Sequence, residues 1–420
     1  MGSAISPAIS RLQAAPGWPL QPFDFHTPTR VMFGPGTMHR LGELARELGA
    51  SRVLVVTDPG LEAAGHPQRA MRSLAEAGLE AHLFDDVEEN PTSKHVTAGV
   101  EFARPRGIDL IVSVGGGSSM DCAKGINFIL TNGGAIADYK GFGKAKKPML
   151  PSIGIPTTAG TGSEAQSYAL IADEKSHMKM ACGDRKAAFT IAILDPEVTL
   201  SQPRRVTALT GIDAMTHAVE SYVTTKRNPL SQMFAREAWK LLEINLEKTL
   251  TSPRDLEARG AMQMGAFLAG TAIENSMLGA CHACANPLTA HYGITHGLAV
   301  GIMLPHVIRF NAVEVPELYA DLVQEAGLAN GSRTVAAEVL AQRVAHLCES
   351  PNCRLVWPTW ASAKRSCISS PRKLRSEWTS KFNPAPPAKR SCTSCIEPLC
   401  RCDTSFAVVP KWPAVSLIGA

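Results

Sequence analysis

The sequence predicts an α/β domain built on a parallel sheet, followed by an all-helical domain. In the first 200 residues, short apolar runs rich in β-branched residues alternate with segments of helical spacing, as in a sheet covered by helices. From Pro203 to Cys348 the apolar residues recur at helical spacing only. We therefore expect the α/β domain over 23–200 and the helical domain over 201–420, with their boundary near residue 200.

The apolar runs of the first half have the length of buried strands, and each is bounded by Gly, Pro or Asp. The predicted strands are Val53–Thr57, Leu110–Val114, Ser152–Ile155 and Thr190–Leu194, and the predicted helices between them include Met38–Leu48, Arg69–Ala77 and Ser93–Arg104. The predicted helices of the second half include Leu230–Leu250 and Leu256–Ala272.

Both ends of the chain depart from this pattern. Residues 1–22 are rich in Ala, Ser and Pro without sustained periodicity, and we expect a mobile leader there. Residues 353–420 form an anomalous tail, because the helical pattern is lost and eleven Lys or Arg residues stand against three acids. The net charge of +4 therefore comes from the tail, and the main body is acidic.

Composition excludes several classes of protein. With 45% hydrophobic and 19% charged residues, the chain has the composition of an ordinary globular protein. We expect a cytoplasmic protein without a membrane partner, because no apolar run reaches the ~20 residues that span a bilayer and no secretory signal is found. The acidic main body also argues against a nucleic-acid partner. Eleven cysteines, an odd number, argue against a disulfide framework.

Two features of the first half predict a dinucleotide site. Gly115-Gly116-Gly117-Ser118-Ser119 lies between a buried strand and a helix, where the backbone can approach a pyrophosphate closely. Asp58 ends an earlier strand, where a carboxylate can bind ribose hydroxyls and repel a 2′-phosphate, which favours NAD over NADP. The alternatives are a plain tight turn for the glycines and a helix N-cap for Asp58.

A third loop follows the strand that ends at Pro156. Its threonines and glycines, in PTTAGTGSE, supply hydroxyl and amide donors at the carboxyl end of a strand, where open α/β sheets bind ligands. By itself this loop could also be a polar turn.

The second half holds candidate metal ligands. Asp213 and His217 lie four residues apart in a helical segment, so their side chains share one face, although solvated pairs of this kind also arise by chance. Three of the 12 histidines fall between His282 and His296 in an apolar setting, where buried imidazoles need partners. A zinc site at Cys281 and Cys284 is disfavoured, because the main body holds no second pair at that spacing.

At these residues the sequence resembles the iron-containing, group III alcohol dehydrogenase family. The similar motifs are GGGSSMDCAKGI, PTTAGTGSE, GIDAMTHAVESY and the His282–His296 segment followed by GLAVGIMLPHVIRFN, and the resemblance extends from about Thr29 to His346. It implies the metal ligands Asp213, His217, His282 and His296. It implies cofactor contacts at Asp58, Asn90, Gly116, Gly117, Ser118, Ser119, Met120, Thr157, Thr158, Thr161 and Lys179, whereas His291, His306 and the two cysteines are not implied as ligands.

The resemblance implies a dehydroquinate synthase-like fold and an NAD-dependent dehydrogenase that interconverts a small alcohol with its aldehyde or ketone. It implies Fe²⁺, with Zn²⁺ as the alternative on intrinsic affinity, and a homo-oligomer. Two alternative functions are a dehydroquinate synthase-like lyase and a catalytically impaired, ligand-binding homologue. A lyase acting on a phosphorylated sugar acid needs Lys or Arg near the metal motifs, and Met277–Leu304 has none.

The sequence departs from the family's pattern at two places. Asn286 stands where many members have a histidine, and an amide carries no proton near neutral pH, so a titrating role there is in doubt. Glu377–Pro384 is similar to the family's closing motif although the tail around it is not, which suggests translation in a shifted reading frame around 353–376 and again after 387. The alternative is a zinc module, and its four cysteines would be Cys392, Cys395, Cys400 and Cys402.

Overall fold

The structure is a computed structural model that describes residues 22–174, 178–328 and 333–349. The predicted leader, apart from residue 22, and the predicted tail lie outside the described residues.

The first half is an α/β domain with a parallel sheet, as predicted. Its strands are β1 (Arg30–Phe33), β2 (Arg52–Val56), β3 (Glu80–Phe84), β4 (Leu110–Gly115), β5 (Gly141–Phe142), β6 (Ser152–Pro156), β7 (Tyr168–Ala172), β8 (Lys179–Gly183) and β9 (Ile191–Leu194). Its helices are α1 (Leu41–Glu47), α2 (His66–Glu76), α3 (Ser93–Ala103) and α4 (Gly117–Asn132). Six strands pair in the order β1-β9-β6-β4-β2-β3, and every neighbouring pair is parallel.

The order in which the chain adds strands to the sheet reverses between β2 and β4, although all the strands are parallel. From β2 the chain moves to β3 at one edge, whereas from β4 it moves through β6 toward the other side. In open α/β sheets ligands bind outside the carboxyl ends of the strands at such a reversal. Asp58 follows β2, and Gly115–Gly117 form the turn from β4 into α4, so both predicted cofactor segments lie at this point.

The sequence pattern missed strands that lie at edges. β3 carries Glu80 and His82 among its apolar residues, and it pairs on one side only, at the end of the sheet. The strands β5, β8 and β7 form a separate small sheet, in which β7 and β8 are antiparallel. β3 lacks the continuous apolar run that marks central parallel strands, whereas β7 is apolar throughout and was missed in spite of its pattern.

The second half is helical, as predicted. Its helices are α5 (Arg204–Val223), α6 (Pro229–Thr251), α7 (Leu256–Ser276), α8 (Ala280–Tyr292), α9 (His296–Asn311), α10 (Pro316–Glu325) and α11 (Arg333–Glu349). Helix α5 is buried on nearly all sides and runs through the centre of the domain. Trp239 on α6 is fully buried, and its indole N–H donates to the carbonyl of Leu322 on α10 at 2.8 Å. None of the helices in the described residues is both long and apolar enough to cross a membrane.

Candidate metal and cofactor site

The four predicted metal ligands come together where α5, α8 and α9 meet. Asp213 and His217 lie one turn apart on α5, His282 lies in the first turn of α8, and His296 begins α9. Asp213 Oδ1 lies 3.5 Å from His217 Nε2, 3.5 Å from His282 Nε2 and 3.7 Å from His296 Nε2. Three imidazoles therefore face one carboxylate oxygen.

The fourth residue is less tightly placed than the others. Ligand atoms of Asp213, His217 and His282 all lie within 4.8 Å of one another, and within the described ranges this is the one compact group of such ligands. The His296 side chain lies outside that group and is 24% exposed, against 4–7% for the other three. His306, Cys281 and Cys284 are not members of the group, and the side chain of His291 lies outside the described part of the chain.

Three atoms of the cluster are buried without a hydrogen bond. Asp213 Oδ1, His282 Nε2 and His296 Nδ1 have no hydrogen-bond partner among the described residues. A buried polar atom left this way costs about 1–3 kcal/mol, and a ligand bound to these atoms would remove that cost. One carboxylate and several imidazoles are donors for a divalent metal, and the residues fit such an ion.

The electrostatics of the cluster are consistent with metal binding. Burial opposes ionisation of Asp213, but the three imidazoles outweigh it and hold the pKa of that carboxyl well below its usual range. Burial lowers the pKa of His217, and it lowers the pKa of His296 to about 3. Burial also opposes protonation of His282, but Asp213 and Glu220 raise its pKa to about 9. Metal binding at His282 therefore competes with a proton.

Glu220 is a site residue that the sequence analysis missed. Its carboxylate accepts the Nδ1–H of His282 at 2.5 Å and the backbone N–H of Cys281 at 2.7 Å. Asp213, His217 and Glu220 follow at positions i, i+4 and i+7 of α5, which places them on one face. That spacing is visible in the sequence and could have identified Glu220.

The glycine-rich turn after β4 requires residues without a side chain. A Cβ at Gly115 would lie 2.3 Å from Ser119 Oγ, and a Cβ at Gly117 would lie 2.6 Å from Thr161 Cγ2. Helix α4 begins at Gly117, so its first amides and its positive dipole end face the carboxyl edge of the sheet. The turn fits a pyrophosphate group.

Other predicted cofactor residues, at the carboxyl ends of the strands, lie around this turn. Ser119 Oγ donates to Asp58 Oδ2 at 3.2 Å, and the backbone N–H of Asn90 donates to Ser118 Oγ at 3.3 Å. Asn90 has a positive φ of 57°, a conformation that asparagine tolerates better than most residues. The N–H of Thr157 donates to the Gly115 carbonyl at 3.0 Å, which joins the loop after β6 to the turn.

The remaining predicted residues extend from the turn toward the metal cluster. A Cβ at Gly116 would lie 3.4 Å from the Thr158 side chain, and Met120 is fully buried in the first turn of α4. Lys179 on β8 is half-buried, and it interacts electrostatically with Asp121 and Asp213. Asn286 is half-buried on α8, one turn after His282.

Comparison with known proteins covers both domains. A model of the family described as iron-containing alcohol dehydrogenase matches residues 28–196, and the C-terminal model of the same family matches 207–355. Alcohol dehydrogenase 4 of Schizosaccharomyces pombe is 41% identical over 69% of this chain and 68% of its own length. The NAD-dependent methanol dehydrogenase of Bacillus methanolicus is 36% identical over 75% of this chain and 83% of its own length.

The fold is shared with solved structures. A crystal structure of a 1,3-propanediol oxidoreductase superposes with a TM-score of 0.84 at 31% sequence identity, covering 90% of this chain and 99% of that chain. The two matched models together span most of the chain and meet where β9 gives way to α5. The chain therefore belongs to the iron-containing alcohol dehydrogenase family.

Proposed function

We propose that Asp213, His217, His282 and His296 hold the divalent metal of this enzyme, and that the segments after β2, β4 and β6 bind its NAD. The protein is a metal-dependent and NAD-dependent alcohol oxidoreductase, in agreement with the function predicted from the sequence. The family match favours neither the lyase nor the impaired homologue. The observation that carries the proposal is the convergence of three imidazoles on the unpartnered, buried Oδ1 of Asp213 among the described residues.

The proposed roles of the metal, the cofactor and the surrounding residues are distinct. A bound divalent metal supplies the positive charge that lowers the pKa of an alcohol hydroxyl, and NAD accepts the hydride. Asp213 supplies the negative charge of the cluster, and the histidines supply neutral donors. The turn at Gly115–Gly117 and the start of α4 bind the pyrophosphate, and Asp58 binds the adenosine ribose.

We propose a small neutral alcohol as the substrate, with its aldehyde or ketone as the product. The support is the lack of Lys and Arg over Met277–Leu304, which provides two of the proposed ligands, and the names of relatives that act on methanol and 1,3-propanediol. We also propose a cytoplasmic homo-oligomer without a nucleic-acid partner, on the basis of the family resemblance and the acidic main body.

The metal assignment is tested with Asp213→Asn in the full chain. Metal content after reloading with Fe²⁺ or Zn²⁺ and NADH formation with short alcohols should both be lost, while the circular dichroism spectrum is retained. Asp321→Asn is the matched control, because Asp321 accepts a hydrogen bond from Tyr222 on the same domain away from the cluster. Full metal content and turnover in Asp213→Asn would refute the assignment.

The cofactor assignment is tested with Asp58→Ala. Loss of the carboxylate should raise kcat/KM with NADP relative to NAD by at least about tenfold, because repulsion of the 2′-phosphate is removed. An unchanged ratio would contradict the role of Asp58 in selecting NAD.

A further inference from the structure

The carboxylate of Glu220 accepts hydrogen bonds from three N–H groups in the first turn of α8. Its Oε1 accepts the N–H of Cys281 at 2.7 Å, and its Oε2 accepts the backbone N–H of His282 at 3.4 Å and the Nδ1–H of the same residue at 2.5 Å. Glu220 is 3% exposed. A carboxylate at a helix N-terminus is stabilised by the amides and by the helix dipole, which explains why a charge is tolerated at this depth.

The hydrogen bond to Nδ1 decides which nitrogen of His282 carries the proton. A neutral imidazole has one N–H, and when Nδ1 donates it, Nε2 keeps its lone pair. His282 Nε2 is the nitrogen that faces Asp213 Oδ1 at 3.5 Å. The contact with Glu220 therefore presents the ligating atom toward the proposed metal position and also limits rotation of the ring.

The other two imidazoles have weaker outer contacts. His217 Nδ1 lies 3.3 Å from the neutral carbonyl oxygen of Gly160. His296 Nδ1 is buried without a hydrogen-bond partner among the described residues. Of the three imidazoles, His282 has the shortest outer hydrogen bond, and its acceptor is charged.

We propose that Glu220 is a positioning residue that holds His282 in the tautomer and orientation required for metal binding. This inference rests on the proposed function, in which His282 is a metal ligand. A purely structural role, in which Glu220 only caps α8 through the amide of Cys281, is the competing explanation.

Glu220→Gln separates the two roles in the full chain, stripped of metal and titrated with Zn²⁺ or Co²⁺ against a competing chelator. One end of the new amide is a donor, so the substituted side chain cannot accept from both Cys281 N–H and His282 Nδ1–H in the present geometry. We expect affinity to fall by about 10- to 100-fold. Glu243→Gln is the matched control, because Glu243 is a buried carboxylate paired with Arg343 at 2.6 Å on the same domain, and it should change affinity by less than about twofold.

A double-mutant cycle identifies the residue through which Glu220 acts. In the His296→Ala background, Glu220→Gln should still lower the metal affinity at least about tenfold. In the His282→Ala background, the same substitution should lower the metal affinity by less than about twofold. Equal losses in both backgrounds, or parental affinity in Glu220→Gln alone, would overturn the proposal. Parental affinity in His282→Ala would instead reject the proposed ligand set. If Glu220→Gln does not fold, Glu220→Asp, with a shorter carboxylate, takes its place in the same cycle with a smaller expected loss.

Discussion

The Nδ1 atom of His217 lies 3.3 Å from the carbonyl oxygen of Gly160, so a proposed metal ligand of the helical domain contacts the loop after β6. The next residue of that loop, Thr161, packs against Gly117 in the glycine-rich turn. A short series of contacts therefore joins the proposed metal cluster to the proposed pyrophosphate site.

This connection predicts that metal and cofactor bind cooperatively. A metal bound at Nε2 would hold the His217 ring against Gly160 and would thereby strengthen this anchor of the loop. We expect the metal-loaded full chain to bind NADH at least about fivefold more tightly than the stripped chain, as measured by NADH fluorescence, since couplings of this kind are about 1–3 kcal/mol. His217→Ala should remove the difference. Equal NADH affinity in loaded and stripped parental protein would contradict the coupling.

Gly162→Ala should be strongly destabilising. Gly162 has a φ of +60°, and a Cβ there would lie 2.7 Å from the Cα of Gly270 and 2.8 Å from the carbonyl oxygen of Ala266, both backbone atoms of α7. We expect the free energy of unfolding in urea to fall by about 2–4 kcal/mol, from the left-handed backbone and the overlap together. Gly293→Ala is the control, because φ is +63° and its Cβ would meet no atom of the described residues within 4 Å. Gly293→Ala should lower the free energy of unfolding by only about 1 kcal/mol. Equal losses of stability in the two variants would exclude the steric explanation.

Met277→Gly should stabilise the protein. Met277 directly follows α7 and has φ 73° and ψ 173°, a region occupied almost only by glycine, and strain there costs about 1–3 kcal/mol. Glycine also adds entropy to the unfolded chain, which offsets part of the relieved strain. We therefore expect the free energy of unfolding, measured by heat or urea, to rise by about 1 kcal/mol. Met233→Gly, at an exposed position of α6, should lose about 1 kcal/mol. A loss in both variants would show that the backbone at Met277 is not strained.

Glu164 predicts a dependence of stability on pH. Burial raises its pKa from 4.5 to about 7. Because the folded state holds the proton more tightly, this contribution to stability is complete below pH 4.5 and is lost as the pH rises through 7. The free energy of unfolding of Glu164→Gln relative to the parent should rise over that interval by at most about 3 kcal/mol.

The control for this effect is Glu43→Gln. Its hydrogen bond with Arg40 lowers the pKa of Glu43, so its contribution is present above the usual pKa and is lost on acidification. The Glu43→Gln variant should show no rise between pH 4.5 and 7. A flat difference for Glu164→Gln over the same interval would mean that Glu164 titrates normally.

The sequence by itself determined the fold class, the central strands and the local motifs. Central parallel strands are buried on both faces, so β2, β4, β6 and β9 had to be continuous apolar runs that a linear pattern reveals. The glycine-rich turn and the His282–His296 segment each lie within a few turns of chain, so their chemistry was visible without a structure.

Only the tertiary structure decided how distant residues meet. The approach of Asp213 to His282 joins α5 to α8, and the contact of Gly160 with His217 joins two domains, and neither follows from local spacing. The structure also shows a difference between two histidines of the cluster: His282 is hydrogen-bonded to Glu220, whereas His296 is more exposed. Local propensity and burial patterns act over a few residues, whereas these contacts depend on how whole helices pack, and a single sequence does not display that packing.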